Sequence, residues 1–191
     1  MKRLVFLLLL LAAFTPADTP SVYWDDIVFP AVGINPIGAP SPPTVDATTG
    51  CLVFANGATN IVALQVQLPH AWMVGTAVNP HVHWHKATSA GGTVKWQSSY
   101  SWGNIGTVYP GFSVMADGAV RQTDGDTAQQ QAIMEWTWSG AGKTMSSIIL
   151  IQIHRLSSGG SADTYAGNAL LCSFDVHIMK DAPGSRSEYV K

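Results

Sequence analysis

From Cys51 onward, apolar and polar positions alternate along the chain. Val62, Leu64, Val66 and Leu68 alternate with Ala63, Gln65 and Gln67 until Pro69 stops the run. Val82 and Trp84 alternate with His81, His83 and His85, and Val94, Trp96, Ser98, Tyr100 and Trp102 with Lys95, Gln97, Ser99 and Ser101. Ala132, Met134, Trp136 and Trp138 give a further one-sided run, and Leu170, Cys172, Phe174, Val176 and Ile178 the last one. A period of two places successive side chains on opposite faces of a strand, so each run predicts a half-buried strand. Met145 to Leu156 is apolar on both faces around Ile148 to Ile151, which predicts a central strand. Cys51 to Phe54 and Phe112 to Met115 read as short strands. Asn56-Gly57 reads as a tight turn, and residues 116 to 131 as a polar loop. No segment has a 3.6-residue period. Eight or nine strands spaced by turn residues predict an all-β fold, a jelly-roll-like β-sandwich over residues 51–191.

Residues 18–50 differ. Pro30, Pro36, Pro40, Pro42 and Pro43 surround one strand-like island, Val22 to Phe29, and predict an extended Pro-rich N-terminal arm lying over a sheet. Before it, Lys2 and Arg3 precede the apolar run Leu4 to Phe14, with small residues at Thr15 and Ala17. That pattern predicts a signal peptide over residues 1–17, or else an apolar N-terminal segment that docks in an assembly. The run is too short to span a bilayer, and the remainder of the chain predicts no membrane span.

Charge narrows the function classes. Removing Lys2 and Arg3 from the 10 basic residues leaves 8 against 12 acidic ones, about four negative charges net. There is no basic cluster, so a nucleic-acid partner is excluded. A surface dominated by Ser, Thr, Gly, Asn and Gln suits an extracellular or virion protein. Cys51 and Cys172 permit one disulfide in an exported chain, and equally suit two buried thiols.

The candidate chemistry lies in Pro80-His81-Val82-His83-Trp84-His85. On a strand the three imidazoles share a face, and an i,i+2 pair can aim two ring nitrogens at one zinc-like divalent ion. His81 and His83 are therefore candidate metal ligands. His177 is the first choice for a third, because Asp175 and His177 share the polar face of their own strand; His70 is the second choice, and His154 a further one. A neighbouring carboxylate such as Asp175 could instead orient an imidazole without metal. His85 is expected to be solvated beside Lys86. Gly75 and the five residues before His81-x-His83 match the start of a cupin motif, but Ala87 and Thr88 stand where it needs a glutamate. Trp138 to Thr144 imitates a phosphate loop but lacks its first glycine and its helix, so it reads as a hairpin turn. Asp124-Gly-Asp126 reads as a surface loop rather than a calcium site. Glu135 reads as a surface residue, and no catalytic signature is present. Trp72 and Trp24, outside the clear alternation, are candidate exposed stacking platforms for a ligand.

Several phrases read together resemble a known family: Tyr23-Trp-Asp-Asp26, Gln67-Leu-Pro-His-Ala-Trp72, Pro80-His-Val-His-Trp84, Asp163 to Leu171, Phe174-Asp-Val-His-Ile178 and Gly184 to Lys191. They are similar to small virion-associated β-proteins of tailed bacteriophages that carry a Pro-His-x-His-Trp motif. The resemblance covers residues 22 to 191 and implies a head or tail decoration or fibre component. It carries over no catalytic residues.

The sequence thus predicts a structural or surface-binding protein, in a virion or exported. A homo-oligomer is expected, with a trimer suiting such a fold, and with other virion proteins or a cell-surface glycan as partners. The rivals are a metal-dependent cupin-like enzyme using His81 and His83, and a secreted carbohydrate-binding module.

Overall fold

The computed structural model describes residues 21–37, 42–114, 119–122, 126–157 and 162–188. The expected signal peptide at 1–17 and Asp124-Gly125 lie outside them. The described chain forms twelve strands and one short 3-10 turn, Ala31–Gly33. The strands are β1 (Tyr23–Pro30), β2 (Asn35–Ile37), β3 (Thr44–Val45), β4 (Leu52–Phe54), β5 (Ile61–Gln67), β6 (Asn79–Lys86), β7 (Thr93–Gly103), β8 (Ser113–Val114), β9 (Ala119–Gln122), β10 (Ala132–Glu135), β11 (Ile148–Arg155) and β12 (Ala169–Lys180).

They make two antiparallel six-stranded sheets. Sheet A runs β10-β6-β12-β4-β3, with β1 on the same side of β12 as β4; sheet B runs β2-β5-β11-β7-β8, with β9 also on β7. The fold is a β-sandwich. Long one-sided strands occupy the middle of each sheet, where both edges find partners. The arm does not lie over a sheet. Instead β1 pairs along β12 from Ser173 to Lys180, and β2 pairs with β5, so the arm supplies an edge strand to each sheet. Pro30 ends β1 and Pro36 sits in edge strand β2, where a missing N–H can be tolerated.

The inner faces close on one core. Val82, Trp84, Phe174, Val176 and Ile178 of sheet A meet Val62, Val66, Trp96, Ile149, Ile151 and Ile153 of sheet B. Trp96 bridges the layers edge-on, with its ring centroid 4.9 Å from Phe54 and 5.9 Å from Trp84.

One irregularity decides what the outer face of sheet A carries. The pairing of β12 with β6 slips between Leu171 and Ser173. A bulge adds one residue and reverses the in-out alternation beyond it. Leu171 packs in the core, and so do Phe174, Val176 and Ile178. Leu170 and Cys172 therefore do not share the core-facing parity of Phe174, as a strict alternation would have it. Cys172 instead turns outward and forms a disulfide with Cys51, across 4.3 Å between Cα atoms.

Candidate functional site

With the alternation reset, Asp175 and His177 point outward beside the histidines of β6. His81 faces Asp175 in the register of the sheet, and Glu135 of β10 faces His81 from the other side. Val82 and Trp84 anchor β6 in the core, which leaves His81, His83 and His85 on the outer face. Four of the six histidines of the chain share this face.

The ring nitrogens converge. His81 Nε2 lies 3.0 Å from His83 Nε2, and His83 Nε2 lies 3.0 Å from Asp175 Oδ2; His81 Nε2 to the same oxygen is 3.7 Å. Ser173 hydrogen-bonds the other oxygen, Oδ1. His83 Nδ1 meets the side-chain amide of Gln131 at 2.7 Å, and His81 Nδ1 is 3.5 Å from the Asn79 carbonyl. A carbonyl can only accept, so the neutral His81 ring keeps its proton on Nδ1 and offers the Nε2 lone pair to the cluster. Burial pushes the His81 pKa down, and the charge of His177 pushes it further the same way.

His177 continues the cluster. Its ring stands 4.2 Å from that of His81, centroid to centroid. Its Nε2 is paired with Asp26 Oδ1 at 3.1 Å, and its Nδ1 is 4.0 Å from Glu135 Oε2. Trp24, Asp26, Asn79 and His177 line a shallow depression at that end of the face. At the other end an open groove of about 450 Å³ passes His83, Asp175, Gln131, Gln129, Cys172 and His85. Gln129 holds a left-handed backbone there, with φ 61°.

The structure therefore brings His81, His83 and His177 together, and adds Asp175 between the first two. It separates the other candidates. Both ring nitrogens of His70 are taken, by Ser185 at 2.7 Å and Ser146 at 2.9 Å, so His70 lies outside the cluster. His154 belongs to β11 of sheet B. Two expectations are corrected. His85 is buried rather than solvated, with Nδ1 bonded to the Lys86 carbonyl at 3.0 Å, because the end of β6 is covered on both sides by β12 and the segment around Gln129. Trp72 is no stacking platform. Its backbone forms an isolated antiparallel bridge with Lys180 at the end of β12, and its fully buried ring packs 5.8 Å from Trp102. Trp24 is 55% exposed. Glu135 is exposed, as its strand position suggested.

No family model matches the chain, and no curated protein matches it. Among solved structures, the chain is similar to a family 35 carbohydrate-binding module from Clostridium thermocellum, at 9% identity over 80% of this chain and 97% of that one, with a TM-score of 0.47. It is also similar to the family 35 module of Cellvibrio japonicus, at 11% identity, 87% and 100% coverage and a TM-score of 0.42. A third match is the isomalto-dextranase of Arthrobacter globiformis complexed with panose, at 15% identity and a TM-score of 0.48; it covers 79% of this chain but 23% of that one. At these identities and scores the likeness assigns neither ligand nor residue role.

Sequence reading missed Asp175 as a possible ligand and Gln131 altogether. The first needed only the polar parity of the last strand. The second had no signal, since its contact to His83 depends on how β10 enters the sheet.

Proposed function

We propose that this protein is a surface-binding β-sandwich, exported or carried on a virion, which works by adhesion and not by catalysis, and that the outer face of sheet A is its binding surface. The observation that carries the reading is the gathering of chemistry on that one face. His83, His177, Asp26, Glu135 and Trp24 reach that surface over the nearly covered His81 and Asp175, beside the groove edged by Gln129 and Gln131. The exposed Trp24 ring beside the Asn79 amide at one end, and the Gln129 and Gln131 amides along the groove at the other, suit a polyhydroxylated ligand such as a cell-surface glycan. The Cys51–Cys172 disulfide supports an oxidising compartment outside the cytosol. The resemblance to tailed-phage proteins supports the virion setting, in which the module would act as a homo-oligomer, a state for which a trimer suits the fold.

The test is binding of purified protein to a glycan array and to intact cells. Saturable binding that weakens on Trp24→Ala or His177→Ala is expected. An absence of binding to both would overturn the reading. A metal-dependent enzyme is favoured by one observation, the His81, His83 and Asp175 triad beside an open groove; loss of a measured turnover on Asp175→Asn would establish it.

A further inference from the structure

We propose that His81 Nε2, His83 Nε2 and Asp175 Oδ2 form a binding site for a zinc-class divalent cation. The inference deepens the reading of this face as the binding surface and rests on it for the role of the ion, though not for its binding.

Zinc held by nitrogen and oxygen at roughly 2.0–2.2 Å in a tetrahedron sets its ligand atoms about 3.3 Å apart. The three observed separations, 3.0, 3.0 and 3.7 Å, bracket that edge. The three side chains come from paired central strands, β6 and β12, so the arrangement is held by the sheet and not by a loop. His81 and Asp175 are nearly covered, with side chains 3% and 11% exposed, while His83 at 25% borders solvent. A fourth position is thus left towards the groove, open to water or to an oxygen of a ligand.

The supporting contacts are those a metal site requires. Metal-bound imidazoles donate their second N–H to a fixed acceptor, and ligating carboxylates are themselves hydrogen-bonded. The Asn79 carbonyl serves His81, and Ser173 serves Asp175. Gln131 serves His83. With its amide oxygen turned to Nδ1, it fixes the His83 proton there and frees Nε2 for the ion; with its NH2 turned in, Nε2 keeps the proton and bonds His81 or Asp175. One amide rotation therefore separates the metal-free network from the ligating one.

Two neighbouring groups fit less well. Cys51, Cys172 and His85 come together, but the disulfide removes both thiolates. His81, Glu135 and His177 also approach one another, but His177 Nε2 is paired with Asp26, and both carboxylates are about half exposed.

The experiment is zinc titration by calorimetry of untagged, chelator-treated protein, with nitrogen-15 shifts of the histidine rings as the second readout. One equivalent of zinc is expected, with shifts at His81 Nε2 and His83 Nε2. Asp175→Asn and His83→Ala should weaken binding by more than the roughly 10- to 100-fold that loss of an orienting neighbour costs, and Gln131→Leu by an amount within that range. His177→Ala removes a ring that packs on His81 but supplies no ligand atom, so it should lower affinity by far less than Asp175→Asn does. Circular dichroism confirms the fold of each variant, and the near-isosteric Asp175→Asn decides if His83→Ala does not fold. Binding of less than one equivalent, or an equal loss on His177→Ala, would overturn the site. Cell or glycan binding that persists in a chelator alongside absent zinc binding would sink the metal inference alone. Stoichiometric zinc without any surface binding would sink only the adhesive function.

Discussion

Cys172 and Asp175, three residues apart on β12, point to the same side of sheet A. An unbroken strand would place them on opposite faces. The bulge between Leu171 and Ser173 puts both outward, one to bond Cys51 and the other to meet His83. A single added residue thus supplies both the covalent link of the face and its carboxylate.

The disulfide joins positions 121 residues apart. A cross-link closing so long a loop stabilises a fold by about 2–5 kcal/mol, largely by restricting the unfolded chain. Cys51→Ser with Cys172→Ser should lower the denaturation free energy by that order, as read by chemical unfolding. Thiol titration of the unreduced, denatured protein should find no free thiol.

Arg155 is buried at the end of β11 with every donor used. Nε and Nη2 grip the two oxygens of Asp163 at 2.9 Å each, and the remaining N–H groups reach the carbonyls of Phe54, Tyr165 and Gly167. It clamps the 163–167 segment to β4. Removing one partner of a fully buried pair leaves an uncompensated charge, so Asp163→Ala should cost about 3–5 kcal/mol in an unfolding titration. Ligand and zinc binding should survive wherever the variant remains folded.

Much of the architecture was legible because β5, β6 and β7 alternate throughout, β12 alternates beyond its bulge, and β11 carries an apolar run on both faces. The stretches β5, β6, β7, β11 and β12 could be read from Val62, Val82, Trp96, Ile149 and Phe174 and their spacing. The pairing of His81, His83 and His177 followed from polar parity on two strands. The bulge was not legible, since Leu170, Leu171 and Cys172 are all apolar and leave the slip without a mark. Nor was the clamp, because no periodicity or motif in the sequence links Arg155 to Asp163. His70 and Trp72 follow Pro69 in a turn, where no periodicity says which way a side chain faces. Trp72 turned inward, and His70 turned to Ser146 and Ser185.

Trp72 and Trp24 should respond very unequally to truncation. Trp72→Ala removes a fully buried ring and should destabilise by about 3–5 kcal/mol. Trp24→Ala should change stability by no more than about 0.5 kcal/mol, because the ring is largely in solvent. Thermal or chemical unfolding of the two variants side by side checks both.

Stability should fall on mild acidification. Burial holds the pKa of His154 below its ordinary value, and that of His81 is depressed as well. His154 Nε2 is buried without a hydrogen-bond partner, so a proton there would be unpaired. Above about pH 6.5 both rings are neutral folded and unfolded alike, and stability is at its full value. As pH drops from there through the depressed folded values, the unfolded chain takes up protons first and stability is lost. Unfolding midpoints taken from pH 7.5 downward should show this loss, and His154→Leu should reduce its slope without abolishing it.

The central claim is that one face of one sheet does the binding. Its most direct measurement compares two variants on the same array of glycans and cells. One alters the outer face of sheet A by Trp24→Ala, Asp26→Asn and His177→Ala; the other alters sheet B by Gln65→Ala and Gln152→Ala. The account predicts that the first loses binding at least about tenfold, roughly 1.4 kcal/mol, while the second binds as the parent does. Undiminished binding by the sheet A variant, or loss confined to the sheet B variant, would contradict it.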